Sequence, residues 1–155
     1  MSRYREEQDQ QGEAKALREL GFLYWSTDEY SLALSYNRQA LQMHRRLGNI
    51  EGEASALHNL AEIHRGLNSP RKAVSFYEKS LQLSWARRDS QRQSLSLYGM
   101  AHALRQLDQS QRALETYRQT LKQAELARDN ILLSRVHHET CLLYTSDAAD
   151  DLLQV

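Results

Sequence analysis

The side chains most capable of chemistry in this chain are six histidines and a single cysteine. His137 and His138 are adjacent, so on a helix they point about 100° apart, and no His-Glu-x-x-His spacing occurs. Cys141 alone excludes an intramolecular disulfide and a zinc site built from several cysteines. The sequence also lacks a glycine-rich phosphate loop and a Gly-x-Ser-x-Gly motif. We therefore expect no enzyme activity, no cofactor and no metal site.

The overall charge gives no reason to expect a polyanionic partner. Twenty Lys and Arg residues balance twenty Asp and Glu residues, so there is no bulk field to attract nucleic acid or an anionic membrane. No apolar run approaches the roughly 18 residues that span a bilayer. The first residues, MSRYREEQDQQ, contain no apolar segment of the kind found in secretory signals. We expect a cytoplasmic protein that binds neither nucleic acid nor membrane.

The elements that must position any functional side chain recur with a period of 40 residues. The recurring apolar residues are Ala33, Ala73 and Ala113; Leu17, Leu57 and Leu97; and Leu41, Leu81 and Leu121. A repeat of about 20 to 50 residues cannot bury its apolar face alone, so it stacks on its neighbours. This pattern predicts a solenoid, an architecture that usually presents a binding surface.

Each unit is interpreted as two helices, A and B, because apolar residues fall at the three-and-four spacing of a buried helical stripe. Asp28, Asn68 and Asp108 separate A from B, and Asp and Asn tolerate the left-handed backbone that ends a helix. The A helices are predicted at 12–26, 52–66 and 91–106, and the B helices at 29–47, 69–87 and 109–127.

Further residues predict the turns and contacts of these helices. Ser69 is expected to cap the second helix B and Pro70 to begin it. His64 falls on the apolar stripe and is expected in the core. Short polar turns between units are expected at Asp9, Asn49, Asp89 and Asp129. Close approach of paired helices is expected where Gly21, Ala61 and Ala101 face Ala33, Ala73 and Ala113.

These residues resemble the tetratricopeptide repeat. That family has Leu-Gly-x-x-Tyr after a large apolar residue in helix A and Ala-x-x-x-Phe/Tyr-x-x-Ala in helix B. The first unit matches with Leu17, Leu20, Gly21, Tyr24, Ala33 and Ala40. The long period and the sequence GEASALHNLA at 52–61 resemble kinesin light chains, Pins-type polarity scaffolds and arrays attached to bacterial regulators. The resemblance implies an all-α fold, a right-handed superhelical solenoid of antiparallel helix pairs.

The period also predicts the organisation of the chain. Residues 4–12 align with residues 44–52 at the 40-residue offset, which predicts the end of an earlier helix B. The decapeptide at 141–150 resembles an in-frame translation of a sequencing adapter, so a non-native tail is expected. The predicted segments are a preceding-repeat tail at 1–11, repeats at 12–50, 51–90 and 91–130, the start of a truncated fourth repeat at 131–140, and the tail at 141–155.

Truncation of the fourth repeat leads to one further expectation. A terminal repeat normally carries a polar outer face. Leu132, Leu133 and Val136 are apolar, so we expect them to stay partly uncovered.

The resemblance implies that the A helices line a concave groove, with residues outside their apolar stripes pointing into it. Four cations against two carboxylates, together with aromatic anchors, predict an extended or helical peptide of acidic character as the ligand. Asn59 holds the position at which related arrays often clamp a peptide backbone. The candidate peptide-binding residues are Lys15, Arg18, Phe22, Trp25, His58, Asn59, Glu62, Arg65, Tyr98, His102 and Arg105.

Two classes of function stay open at this point. The favoured one is a protein-interaction scaffold whose concave groove binds a peptide segment of a partner protein. The alternative is a sensor or regulatory module of a larger signalling protein, transcription regulator or enzyme. In either case the expected partners include further repeats or domains of the intact protein.

Overall fold

A computed structural model describes the backbone of residues 2–153 and the side chains of residues 6–146. All regular structure within this range is helical, so the all-α prediction is confirmed for the described residues. Between the two ends of the array, the helix limits agree closely with the predicted ones. The helices are α1 (Ser2–Ser26), α2 (Tyr30–Arg46), α3 (Ile50–Gly66), α4 (Pro70–Arg87), α5 (Ser90–Gln106), α6 (Ser110–Ala127) and α7 (Asn130–Leu153).

Helices pack as consecutive antiparallel pairs that stack in one direction. Helix α1 pairs with α2, α3 with α4, and α5 with α6, and each pair packs on the next through α2 with α3, α4 with α5 and α6 with α7. Helix α1 also contacts α3, and α3 contacts α5. The A-type helices therefore form one continuous wall, which confirms the predicted solenoid.

The turns within each pair use the predicted residues. Asp28, Asn68 and Asp108 have φ angles of 60°, 52° and 56°, in the left-handed region that short polar side chains tolerate. Pro70 begins α4 as predicted, but the Ser69 side chain forms no capping hydrogen bond. The helix start there depends on the proline, whose fixed φ suits a first turn.

The turns between pairs are built from a left-handed residue followed by a capping residue. Asn49, Asp89 and Asp129 each accept a hydrogen bond of 2.9 Å from the backbone N–H three residues later. This is the N-cap arrangement that satisfies one orphan donor of the following helix. The left-handed residues that precede them are Gly48, Arg88 and Arg128.

Small side chains lie fully buried where paired helices meet. Ala33, Ala73 and Ala113 have no exposed surface, and Ala61 and Ala101 are equally buried. His64 is buried as predicted and stacks on Phe76 with 5.3 Å between ring centroids. Because helix backbones approach closely at these alanines, larger side chains would push them apart.

The expected turn at Asp9 does not form, because residues 2–26 are one uninterrupted helix. Within the described residues no earlier hairpin packs against this segment, so a turn would break helical hydrogen bonds without gaining contacts. Gln8 also replaces the Gly48 that adopts left-handed backbone at the equivalent turn. The segment boundaries themselves stay a prediction, and Met1 lies outside the described residues.

Two apolar residues at the start of α7 are covered, which contradicts the expectation for Leu132 and Val136, whereas Leu133 stays partly exposed as expected. Leu132 and Val136 are 4% and 0% exposed, and Leu133 is half-buried, because α6 packs against them. The helix continues through residue 153, and Leu143 joins the same core. Residues 154–155 of the expected tail lie outside the described residues.

Within the described part of the chain, none of the helices combines the length and apolar character needed to cross a bilayer.

Replacing Ala73 with leucine is expected to lower the free energy of unfolding by about 1–3 kcal/mol, because the contact between α3 and α4 is overpacked. Ala86→Leu, at an exposed position of the same helix, is the control and should change it by less than about 0.5 kcal/mol. Urea unfolding followed by circular dichroism measures both. Equal stability of the two variants would mean that α3 and α4 do not meet at Ala73.

Candidate functional site

A cavity of about 430 Å³, the central cavity, lies on the wall formed by the A-type helices. Side chains from α1, α2, α3, α5 and α7 line it, so it exists only when successive repeats are stacked. Six of the predicted peptide-binding residues meet there, and they are Phe22, Trp25, His58, Asn59, Glu62 and Tyr98.

The other predicted residues fall into two groups. Arg65, His102 and Arg105 share a neighbouring cavity of about 330 Å³. A third cavity contains Arg65 together with Trp25 and Glu62 of the central cavity, so these surfaces are continuous. Lys15 and Arg18 instead line a separate cavity on α1 and the corner between α2 and α3. The candidate site is therefore one groove and one distinct pocket.

Aromatic and aliphatic side chains of α1 and α5 line the central cavity. Phe22 and Trp25 on α1 lie with ring centroids 5.5 Å apart, and Phe22 is 53% exposed. Leu95 and Tyr98 of α5 also line the cavity, and Tyr98 packs edge-on against His102 with 4.6 Å between centroids. Exposed aromatic surface in a concave site is suited to hold an apolar side chain of a ligand.

Two asparagine side chains that are hydrogen-bonded to each other line part of the central cavity. The Asn59 Nδ2 atom donates to Asn37 Oδ1 at 3.3 Å, and Asn37 Nδ2 donates to the Ala33 carbonyl at 3.0 Å. A Cβ atom at Gly21 would collide with the Asn37 amide. Because residue 21 is glycine, the buried Asn37 amide fits against α1. From there its oxygen accepts the hydrogen bond that orients Asn59.

A partly buried carboxylate beside the amides, that of Glu62, pairs with the nearest arginine. Arg65 donates to Glu62 Oε2 at 2.7 Å, and the Tyr77 hydroxyl donates to Glu62 Oε1. Burial alone would raise the pKa of Glu62, but His58, Arg65 and Tyr77 together lower it below its ordinary value. The carboxylate is therefore ionised. Burial and Glu62 raise the pKa of Tyr77, which stays protonated.

Intramolecular ion pairs reduce the positive charge predicted for the groove. Arg65 is paired with Glu62 as described, Arg105 donates to Glu139 of α7, and Arg18 donates to Glu19 at 2.6 Å. A ligand would have to compete with a carboxylate already in place at each arginine. A strongly acidic peptide therefore gains less from these residues than the sequence suggests.

Two residues of α7 at the candidate site were not predicted from the sequence. Arg135 lines the central cavity, and Glu139 pairs with Arg105. The 40-residue frame places Arg135 in register with Lys15 and Glu139 in register with Asn59. Extending the groove-facing frame into the fourth unit would have found both.

Within residues 6–146, no group of three or more His, Cys, Asp or Glu side chains is placed to hold a metal ion. The expectations of no metal and no cofactor stay predictions.

Residues 12–84 match the sequence model of the tetratricopeptide repeat. No curated protein matches the chain. Aspartyl phosphate phosphatase F from Bacillus subtilis is 15% identical with a TM-score of 0.84, over 92% of this chain and 37% of that one. A tetratricopeptide-like protein from Chlorobium tepidum is 16% identical with a TM-score of 0.72, over 88% of this chain and 98% of that one.

The N-terminal domain of stress-induced protein-1 from C. elegans is 16% identical with a TM-score of 0.66, over 83% of this chain and 95% of that one. At these identities the solved structures share the fold alone. The chain spans 37% of the length of the Bacillus phosphatase. The comparisons therefore agree with the repeat architecture and with the family resemblance found in the sequence.

Gly99→Ala is expected to lower the free energy of unfolding by about 1–3 kcal/mol. A Cβ atom at Gly99 would collide with the Tyr77 hydroxyl and lie 2.7 Å from Glu62 Oε1, so the hydrogen bond between them must shift. Gly12→Ala is the matched control, since its Cβ would have no neighbour within 4 Å. It should stabilise by about 0.5–1 kcal/mol through helix propensity. Similar stabilisation by both substitutions would contradict the proposed packing.

Burial lowers the pKa of His58 from 6.5 to about 4, with Glu62 opposing the shift and Arg92 and Arg65 adding to it. His58 is therefore neutral in the folded protein at neutral pH. Its Nδ1 atom lies 3.0 Å from Ser96 Oγ on α5.

The folding stability is expected to fall as the pH is lowered from 6.5 to about 4, because the unfolded state protonates His58 first. Above pH 6.5 this contribution is constant, and the slope from one histidine is at most about 1.4 kcal/mol per pH unit. Urea unfolding across this range measures it. His58→Gln should flatten the profile, whereas His138→Gln, at an exposed position, should not. A profile unchanged by His58→Gln would show that His58 titrates alike in both states.

Proposed function

We propose that this tetratricopeptide-repeat chain is a protein-interaction module that binds a peptide segment of a partner in its central cavity. The supporting observation is that Phe22 and Trp25, from the first repeat, and Leu95 and Tyr98, from the third, line one cavity of about 430 Å³. A site that spans repeats fits an elongated ligand better than a compact one, because its length follows the stack.

The aromatic residues supply an anchor site. Apolar area removed from water contributes roughly 25 cal/mol per Å², and aromatic residues are frequent among the few that dominate binding energies. Phe22 is 53% exposed while its neighbour Trp25 is half-buried. An aromatic or branched aliphatic side chain of the peptide would fill the space between these rings and Tyr98.

The amide of Asn59 supplies directional contacts to a peptide backbone. One of its N–H groups is used by Asn37, and among the described residues its carbonyl oxygen accepts no hydrogen bond. A side-chain amide can donate to a backbone carbonyl and accept from a backbone N–H at once. Asn59 is therefore suited to fix the direction of a peptide beside its anchor residue.

Arg135 determines the preferred charge of the peptide. It lines the central cavity and forms no ion pair with any side chain of residues 6–146. Arg65 and Arg105 are already paired with carboxylates. The ligand that fits best carries one Asp or Glu close to the apolar anchor, which is less negative charge than the four cations counted in the sequence would suggest.

The two tryptophans of the chain allow a direct test, because Trp25 lines the cavity and Trp85 lies exposed on α4. Peptides selected from a displayed random library against the whole chain should carry an aromatic or aliphatic residue beside an acidic one. In Trp85→Phe, which keeps only Trp25, their binding should change the tryptophan emission. In Trp25→Phe, which keeps only Trp85, the emission should stay constant.

Substitutions in the cavity should weaken the selected peptides. Phe22→Ala removes the anchor contact and is expected to raise Kd about tenfold or more. Arg135→Gln should weaken the acidic peptide but not its Asp→Asn or Glu→Gln counterpart, since only the first forms the ion pair. Leu126→Ala, at an exposed residue of α6, should change neither. Peptides that bind all of these variants equally would disprove the proposed site.

A further inference from the structure

The separate cavity that Lys15 and Arg18 line has a volume of about 600 Å³ and lies between α1 and the corner that joins α2 to α3. Lys15 and Arg18 reach it from α1, and His44 and Gly52 reach it from the corner. It shares no lining residue with the central cavity. Two of the cations assigned to the peptide groove from the sequence therefore belong to a separate site.

His44 gives this cavity an unsatisfied polar wall. The side chain is 3% exposed, and neither ring nitrogen has a hydrogen-bond partner among the described residues. Buried polar atoms are nearly always paired, so an orphaned imidazole that lines a cavity needs an explanation. A polar ligand in the cavity can supply the missing partner once the ring turns, because neither nitrogen is exposed in this conformation.

The His44 ring leaves no room for a side chain at position 52. A Cβ atom at Gly52 would collide with the His44 ring, so only glycine leaves enough room. The other two corners carry the reverse combination, with a small residue first and a large one second. The residue pairs at the equivalent positions are His44 with Gly52, Ser84 with Arg92, and Ala124 with Leu132.

Positive charge prevails at this site. Burial, and after it Arg18, lower the pKa of His44, with Glu53 opposing, so the imidazole is neutral and offers one N–H donor. Glu51 also lines the cavity, so two cations face one carboxylate there. Arg18 donates to Glu19 through one nitrogen only, which leaves other guanidinium donors for a ligand.

We propose that this cavity binds a small phosphate-bearing anion, with Lys15 and Arg18 pairing with phosphoryl oxygens and His44 donating an N–H to one of them. Two cations against one carboxylate leave the lining net positive, which suits a phosphate anion, and several donors match its tetrahedral oxygens. The volume exceeds that of phosphate alone, so a small phosphomonoester also fits. The site is independent of the peptide proposed for the central cavity.

Inorganic phosphate is the probe for the first test. The imidazole carbon–proton signals of His44, assigned by their loss in His44→Gln, are followed by nuclear magnetic resonance during a phosphate titration at constant ionic strength. We expect a saturable shift of these signals, with chloride at matched ionic strength producing none. A parallel titration with glycerol phosphate distinguishes a phosphomonoester ligand, which binds more tightly than phosphate, from free phosphate, which does not.

Charge variants test the two cations without disturbing the fold. Lys15→Gln and Arg18→Gln should each raise the apparent Kd about tenfold or more, because each removes a charge-assisted contact. Arg46→Gln, at an exposed residue of α2 outside this cavity, is the control and should leave the titration unchanged.

A matched pair of glycine variants tests the role of the histidine. Gly52→Ala should displace the His44 ring and abolish the saturable shift, whereas Gly12→Ala, in the same cavity but with no neighbour within 4 Å of its Cβ, should preserve it. Absence of a saturable shift in the parent chain, or a shift that Arg18→Gln leaves unchanged, would overturn the proposal. Because the Lys15 and Arg18 variants leave the contact between Gly52 and His44 unchanged, this conclusion does not depend on Gly52→Ala folding.

Discussion

Close contact between small residues of paired helices is the constraint on which the rest of this structure depends. Ala33, Ala73 and Ala113 are fully buried where the two helices of a pair meet. Because the contact recurs every 40 residues, successive pairs stack in the same orientation, and α1, α3 and α5 form one wall. The central cavity is a consequence of that wall, since its aromatic lining residues come from different repeats.

The net charge of this wall depends on which carboxylate pairs with each arginine. Arg65 uses Glu62 on its own helix, and the glycine at position 99 leaves room for the hydrogen bond from Tyr77 to that carboxylate. Arg105 uses Glu139 of the next A-type helix, at the position equivalent to Gly99. Both ion pairs neutralise the arginine, so under the proposed function the aromatic residues and Arg135 are the residues that recognise the peptide.

The repeat architecture could be predicted because it depends on local, periodic signals. Asp28, Asn68 and Asp108 adopt the expected left-handed backbone, and the apolar period places each pair of helices correctly. The ends were predicted less well, because they depend on neighbours. Asp9 stays within α1 where no earlier hairpin is described, and Val136 is covered because α6 packs against α7.

The sequence by itself determined the helices, their pairing and which helix faces share a wall, since a helical stripe and a small-residue contact are both written in residue spacing. Only the tertiary structure decided which residues of that wall line the same cavity. Phe22 joins Tyr98 across two repeats, whereas Lys15 and Arg18 turn to a separate pocket beside His44. The physical reason is that cavity membership and ion pairing depend on distances between helices, which the curvature of the stack sets and residue spacing along one helix does not.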